Sequence, residues 1–370
     1  MEYYPNLILD ALRHVHHPAK GKDIVAAGMI EDDIRIDGQR ISFSLLFDRA
    51  NDPMINSIKN AAVQAIKTYV GSDAKIEGNI YVKIKPRPAK EAVETTLPDV
   101  KNVIAIASGK GGVGKSTIAG NVAVALAQNG YKVGLLDADI FGPSVPKMFA
   151  TEDAQPELEN VNGKDCIVPV EKYGVKLLSI GYFVNPDDAV VWRGAMASNA
   201  LKQLLVDGLW GELDYLLIDL PPGTSDIQLT LVQTVPLTGA VIVSTPQEIA
   251  LADGRKAISM FRGEQINVPI LGMVENMAWF TPAELPENKY YIFGRDGVKQ
   301  LAERLNVKLL GQIPIVQSIC ESGDTGKPAA INQNTITGEA FNQLALSMVA
   351  ATDERNSTLP PTKIVGIAKK

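Results

Sequence analysis

The sequence is poor in the residues that cross-link a chain or hold a metal. Its 370 residues include two cysteines, Cys166 and Cys320, and three histidines. No CxxC pair occurs, so a disulfide scaffold or a cysteine-rich zinc site is not expected. No run of about 18 apolar residues is present, so no membrane-spanning helix is expected. Positive charge is not in excess either. There are 36 Lys and Arg against 42 Asp and Glu, a net charge of −6. That balance argues against a protein that coats nucleic acid by counterion release. The opening MEYYPNLILDALRH lacks the basic start and apolar core of a secretory signal. These absences lead us to expect a protein of a reducing cytoplasm, with neither membrane nor nucleic acid among its partners.

What is present is globular: 46% hydrophobic and 21% charged residues, in a chain long enough for two domains. Residues 86–100, PRPAKEAVETTLPDV, carry three prolines and mixed charge without a period, which reads as a linker. Before it, residues 1–85 read as a small α+β domain ordered α–β–β–α–β. Helices are expected over 3–14 and 53–70, the second with Ile55, Ile58, Ala62, Ala65 and Ile66 on one face. Strands are expected at GMIEDDIRI (28–36), RISFSLLF (40–47) and NIYVKIK (79–85). After the linker, apolar runs recur without alternation: VIAIA (103–107), KVGLLDAD (132–139), VKLLSI (175–180), LDYLLIDL (213–220), GAVIVS (239–244), PILGMVEN (269–276) and KLLGQIP (308–314). Helical stretches such as 116–129 and 194–208 separate them. Buried parallel strands have this pattern, so residues 101–350 read as one doubly wound, mostly parallel α/β domain. Residues 351–370 read as a loosely ordered tail.

The first of those runs empties into ASGKGGVGKST (107–117). Gly109, Gly111 and Gly114 satisfy G-x-G-x-x-G, and Asp137 follows 23 residues after Gly114, as in a dinucleotide fold. Gly109, Gly114, Lys115 and Ser116 also satisfy G-x-x-x-x-G-K-[ST]. Lys115 and Ser116 decide between them, because a dinucleotide needs no cation and hydroxyl there and Mg²⁺–ATP does. Backbone N–H groups from Gly109, Lys110, Gly111, Gly112, Val113, Gly114, Lys115, Ser116 and Thr117 would cradle phosphates. Ser116 and Asp219, the latter in LLIDLPPGTSD (216–226), are the expected magnesium ligands. Gly223 is a free joint in that otherwise stiff turn, suited to sensing a γ-phosphate. Asp139 is the candidate for orienting the attacking water. For Asp137 and Asp139 a helix-capping role stands beside the chemical one.

A glycine loop with a second lysine, Lys110, ahead of the usual one resembles the deviant Walker A loop of the dimerising ATPases related to MinD and ParA. The resemblance implies a homodimer in which Lys110 reaches the partner's nucleotide and, with Lys115 and Asp139, serves hydrolysis. SGKGGVGKST, DADIFGPSVP (137–146), WRGAM (192–196), IDLPPGTSD (218–226), STPQEIALAD (244–253), VENM (274–277), IFG (292–294) and GQIPI (311–315) together resemble the Mrp/ApbC family. That resemblance implies an ATP-hydrolysing carrier that passes iron–sulfur clusters to apo-protein clients, with an N-terminal domain similar to Fe–S assembly proteins. It also implies that Asn276 and the segment near Pro314 contact adenine. The alternative is a MinD- or ParA-type switch without its own cluster.

The sequence departs from the family in its thiols. The segment after VENM, ENMAWFTPAELPENKYYIFG (275–294), has no cysteine where many members carry CxxC. The small domain reads His17-Pro18-Ala19 and FDRANDP (47–53) where its relatives have Asp-Pro-Glu and a cysteine. A dimer-bridging cluster would therefore have Cys320 as the chain's own candidate ligand, the other reading being a small buried residue. Cys166 lies in a polar, insertion-like stretch. His14, His16 and His17 are clustered, and His14 and His17 would share a helix face if the first helix reached them.

Overall fold

The inner strands of the large unit's main sheet carry apolar residues at almost every position because both faces of that sheet are covered. The computed structural model describes residues 3–17, 21–31, 33–47, 52, 54–84, 97–161, 163–184, 194–224, 226–264, 266–282, 284–285, 287–362 and 364. The chain divides into two compact units, Met1–Val93 and Glu94–Lys370.

In the small unit, helix α1 (Pro5–Leu12) precedes a short antiparallel hairpin, β1 (His16–His17) with β2 (Lys22–Asp23). Strands β3 (Arg35–Asp37) and β4 (Arg40–Phe47) pair antiparallel. After helix α2 (Ile55–Tyr69), strand β5 (Ile80–Ile84) pairs parallel to β4. Ile58, Ala62, Ala65 and Ile66 of α2 are buried against Ile41, Phe43 and Leu45, as the helical spacing requires. Each of the buried isoleucine, leucine and phenylalanine side chains contributes about 1.5–3 kcal/mol.

Two expectations need correction here. The strand expected over 28–36 is shortened to Arg35–Asp37, with Ile30 making a single bridge to Leu45. Met29 is buried and bonds Leu46 through its carbonyl, so this stretch packs as a turn rather than a full strand. The first helix ends at Leu12, so His14 and His17 do not share a helix face; His14 stacks on Tyr69 at 4.1 Å. Most of the linker, and residues 48–51 and 53 of FDRANDP, lie outside the described residues, as do Pro18 and Ala19.

The large unit contains, in order, β6 (Val100–Ala107), α3 (Lys115–Gln128), β7 (Val133–Asp137), α4 (Val145–Met148), β8 (Leu158–Val161), β9 (Lys164–Ile167), β10 (Val170–Lys172) and β11 (Val175–Ser179). Then follow α5 (Gly194–Val206), β12 (Leu213–Asp219), α6 (Asp226–Thr234), β13 (Gly239–Ser244), α7 (Glu248–Arg262), β14 (Ile270–Phe280), α8 (Gly297–Arg304), β15 (Leu309–Ile315), α9 (Gln317–Asp324) and α10 (Ile336–Thr358). Eight strands form one sheet, ordered β10-β11-β7-β12-β6-β13-β14-β15. Every pair is parallel except the edge pair β10–β11. Alternate residues of β6 divide between two cores: Val103, Ala105 and Ala107 on one face, Ile104 and Ile106 on the other. The polar stretch around Cys166 is a hairpin, β8 with β9. Helix α10 runs to Thr358, which corrects the expected tail boundary. Ala351 and Thr352 are buried on it, so apolar packing carries the helix past residue 350. Among the described residues no helix is long and apolar enough to cross a membrane.

Candidate functional site

Parallel strands point their carboxyl ends to one edge, and the sheet gathers the motif residues there. Asp219, the last residue of β12, is in register with Ile106 of β6 and with Asp137 of β7. The loop Ser108–Gly114 therefore opens beside both acids, and α3 begins at Lys115.

The glycines of that loop are required by geometry. Gly112 and Gly114 both have φ of 79°, the left-handed region that costs other residues about 1–2 kcal/mol. A Cβ on Gly109 would lie 2.0 Å from the Asp253 carbonyl carbon, and one on Gly114 would lie 2.2 Å from Nδ2 of Asn276. Helix α3 has no side-chain cap, so its first N–H groups are free for an anion.

Lys115 and Asp219 form the centre of the site. The Lys115 ammonium donates to Oδ1 of Asp219 at 2.6 Å and to Oγ of Ser116 at 3.2 Å. Lys115 is 6% exposed and Asp219 is fully buried. The other carboxylate oxygen, Oδ2 of Asp219, is buried without a hydrogen-bond partner among the described residues. Burial raises the Asp219 carboxyl above its ordinary value, and the Lys115 ammonium pulls it back. An orphan carboxylate oxygen beside the Ser116 hydroxyl is a hard-oxygen donor set of the kind magnesium takes.

The neighbouring acids divide their work. Asp137 is fully buried and holds the turn after β7: its Oδ2 accepts from the N–H groups of Ser144 and Val145 and from Ser179 Oγ, and its Oδ1 accepts from the Asp139 N–H. Burial, then the Asp219 charge, push its carboxyl up to about 7. Asp139 is half-buried on the same edge, and burial raises it too, against the Lys115 charge. It thus combines access with basicity. The Gly223 N–H donates to the Ser108 carbonyl at 2.9 Å, which ties the Pro-Pro-Gly turn to the base of the glycine loop. Lys110 is exposed, and its carbonyl accepts from Ser108 Oγ.

Asn276, expected at adenine, is 6% exposed and donates its amide to the Val113 carbonyl at 2.9 Å. It lines a cleft of about 440 Å³ with Gly114, Thr117, Met277, Pro314 and Ile315. Cys320, on α9, is exposed and lines the same cleft, whereas half-buried Cys166 is in the β9 hairpin. Among the described residues no group of three or more His, Cys, Asp or Glu could hold a metal ion. At the end of β14, Phe280 and Tyr290 exchange two backbone hydrogen bonds of 2.8 Å, and the Lys289 ammonium lies 3.9 Å over the Trp279 ring. Sequence reasoning missed the fixing of Val113 by Asn276 and the burial of Glu275 next to it. The only signal was a carboxylate and an amide ending an otherwise apolar strand. Trp192, Arg193, Ser225 and Pro286 lie outside the described residues.

Residues 99–349 match the family model described as the NUBPL iron-transfer P-loop NTPase, and residues 6–77 match that of an iron–sulfur cluster assembly protein. A relative in Synechocystis sp., an iron–sulfur cluster carrier protein, is 44% identical over 93% of this chain and 95% of its own. A nucleotide-binding protein from Archaeoglobus fulgidus, solved with ADP, is similar at 39% identity and a TM-score of 0.55, over 63% of this chain and 89% of that one. The cell-division ATPase MinD of Pyrococcus furiosus shares the fold at a TM-score of 0.50 and 23% identity, covering 68% of this chain and 99% of its own.

Proposed function

Because the chain belongs to the NUBPL-type iron-transfer P-loop NTPase family, we propose that it is an ATP-hydrolysing carrier that passes iron–sulfur clusters to apo-proteins. The observation that carries the ATPase reading is the buried Lys115–Asp219 pair under a glycine cradle. With ATP present, the N–H groups of the glycine loop and of the first turn of α3 bind phosphate oxygens. The Lys115 ammonium then exchanges the Asp219 carboxylate for the β- and γ-phosphates. Ser116 and Asp219 are the residues that would hold magnesium, which supplies neutralisation of phosphate charge. Asp139 orients the attacking water and accepts its proton. Met277, Pro314 and Ile315 give the base an apolar cleft, and Asn276 holds the loop beside it.

The working unit in this proposal is a homodimer. Lys110 is exposed and free to reach a second copy's nucleotide. Phe141, two residues past Asp139, is 63% exposed, and Ile249, at the start of the helix that follows β13, is 62% exposed. Both belong to the edge where the strands end, so a second copy would cover apolar surface there. Hydrolysis and release of the Asp219–Gly223 turn reopen the pair and move residues 275–294.

The cluster is the cargo. Cys320 is the chain's exposed thiol, and two copies supply two of the four thiolates a cluster takes. The rest come from glutathione or the apo-protein client. The test is anaerobic reconstitution with iron, sulfide and glutathione, counting iron per dimer alongside ATP hydrolysis. Bound iron that falls in Cys320→Ala makes that thiol a ligand. No bound iron under any condition, with hydrolysis intact, replaces the carrier by a nucleotide switch without cargo of its own.

A further inference from the structure

The middle of β14 sends two neighbouring side chains to opposite faces of the sheet. Asn276 reaches the Val113 carbonyl in the glycine loop at 2.9 Å. Glu275, one residue earlier, is fully buried. Its Oε2 accepts from the Val298 N–H at 2.7 Å and its Oε1 from Gln312 Nε2 at 2.7 Å. Val298 is the second residue of α8, and the helix's own N-cap, Asp296, makes no side-chain capping bond. A carboxylate from another strand therefore satisfies the free N–H at this helix start. Gln312, on β15, also donates to Asp296 at 3.1 Å, so the start of α8 is held twice.

The strand is jointed just beyond these residues. Met277 has φ of 56°, the left-handed region, which is strained for a residue with a side chain. Pairing of β14 with β15 shifts register between Asn276 and Phe280. The chain then closes on itself where Phe280 pairs with Tyr290, and continues to α8. Gly297, the first residue of α8, sits so close to the Pro246 carbonyl that a Cβ would lie 2.4 Å from it.

We propose that Glu275 is a positioning residue that couples the segment from Tyr290 to α8 to the occupancy of the glycine loop. This rests on the reading above, in which nucleotide binding moves residues after β14. A shift of the glycine loop pulls Asn276 through its bond to Val113. Asn276 and Glu275 share a peptide unit within a hydrogen-bonded strand, so the Glu275 carboxylate moves with it. A buried carboxylate cannot give up its two donors cheaply. The start of α8 follows, and Met277 is the joint at which the two arrangements differ.

Amide hydrogen exchange on the full-length protein tests this, with and without magnesium and a non-hydrolysable ATP analogue. In the wild type the analogue is expected to change exchange at Tyr290–Val298 by about tenfold. Glu275→Ala removes that difference, while analogue binding stays within about threefold of wild type. Glu275→Gln keeps it, because the amide oxygen still accepts from Val298. A purely structural role would speed exchange equally with and without nucleotide. If Glu275→Ala does not fold, Gln312→Ala removes one of the two partners and is expected to shrink the difference. A nucleotide response that persists in the folded Ala variants overturns the coupling, and so does its absence in a wild type that hydrolyses ATP. Absence of ATP hydrolysis itself would instead overturn the functional reading.

Discussion

The Lys115 ammonium is 2.6 Å from Oδ1 of Asp219, and both residues are buried. Each charge is tolerated there only because of the other. Lys115→Ala is expected to abolish ATP hydrolysis and to cost about 3 kcal/mol of stability, since it strands a buried carboxylate. Removing both charges in Lys115→Ala/Asp219→Ala should restore part of that stability while hydrolysis stays absent. Denaturant midpoints and phosphate release on the three proteins check this. A double variant no more stable than Lys115→Ala would mean the pair is not the source of the loss.

Lys110 is exposed at the mouth of the glycine loop. Lys110→Ala should therefore leave nucleotide affinity within a few fold and lower turnover by about 10²-fold, as removing one charge-stabilising donor does elsewhere. Steady-state kinetics at several protein concentrations separate the two effects. Unchanged turnover would rule out a role for this lysine across a dimer.

Gly114 and Asn276 are fitted to each other. Gly114→Ala meets both the left-handed φ and the Asn276 amide 2.2 Å away, and should abolish nucleotide binding. Asn276→Ala frees the Val113 carbonyl and should weaken ADP binding by about tenfold, the worth of one buried hydrogen bond. Calorimetric titration with ADP measures both.

The small unit has its own pH signature. Asp33 accepts from the N–H of Ser44 at 2.8 Å, from its Oγ at 2.6 Å and from Lys83 at 3.1 Å. Burial alone would raise its carboxyl, but the Ser44 and Lys83 bonds outweigh that and hold it below the ordinary value. Its stabilisation is thus present above the unfolded carboxyl pKa and lost as pH falls through the lower folded one. Asp33→Asn should cost about 1–2 kcal/mol at neutral pH, with the gap to wild type closing in acid. Unfolding curves for both proteins across that range decide it. A gap that stays constant with pH would mean the charge on Asp33 is irrelevant.

The glycine loop and its acids were legible in the sequence because their chemistry fixes residue type and spacing together. Lys115, Ser116 and Asp219 meet at one edge because parallel strands all end there. The buried strands were legible from their unbroken apolar runs. What was not legible came from contacts distant in sequence. Asp137 was open between capping and chemistry until four donors from residues 139–179 were seen around it. Glu275 carried no expectation and Asn276 only the adenine contact the resemblance implies, because their partners Val113, Val298 and Gln312 lie on other elements. The early strand shortened because Met29 packs inward as a turn. The last helix outran its expected end because its buried face continues through Thr352.

The measurement closest to the centre of the account is cluster transfer. The protein is loaded anaerobically with iron and sulfide, and recovery of activity in an apo-iron–sulfur enzyme is followed with Mg²⁺–ATP, with ADP and with no nucleotide. We expect transfer to be fastest with Mg²⁺–ATP and to lose that dependence in Lys115→Ala. Recovery at one rate in all three conditions, unchanged in Lys115→Ala, would contradict a nucleotide-gated carrier.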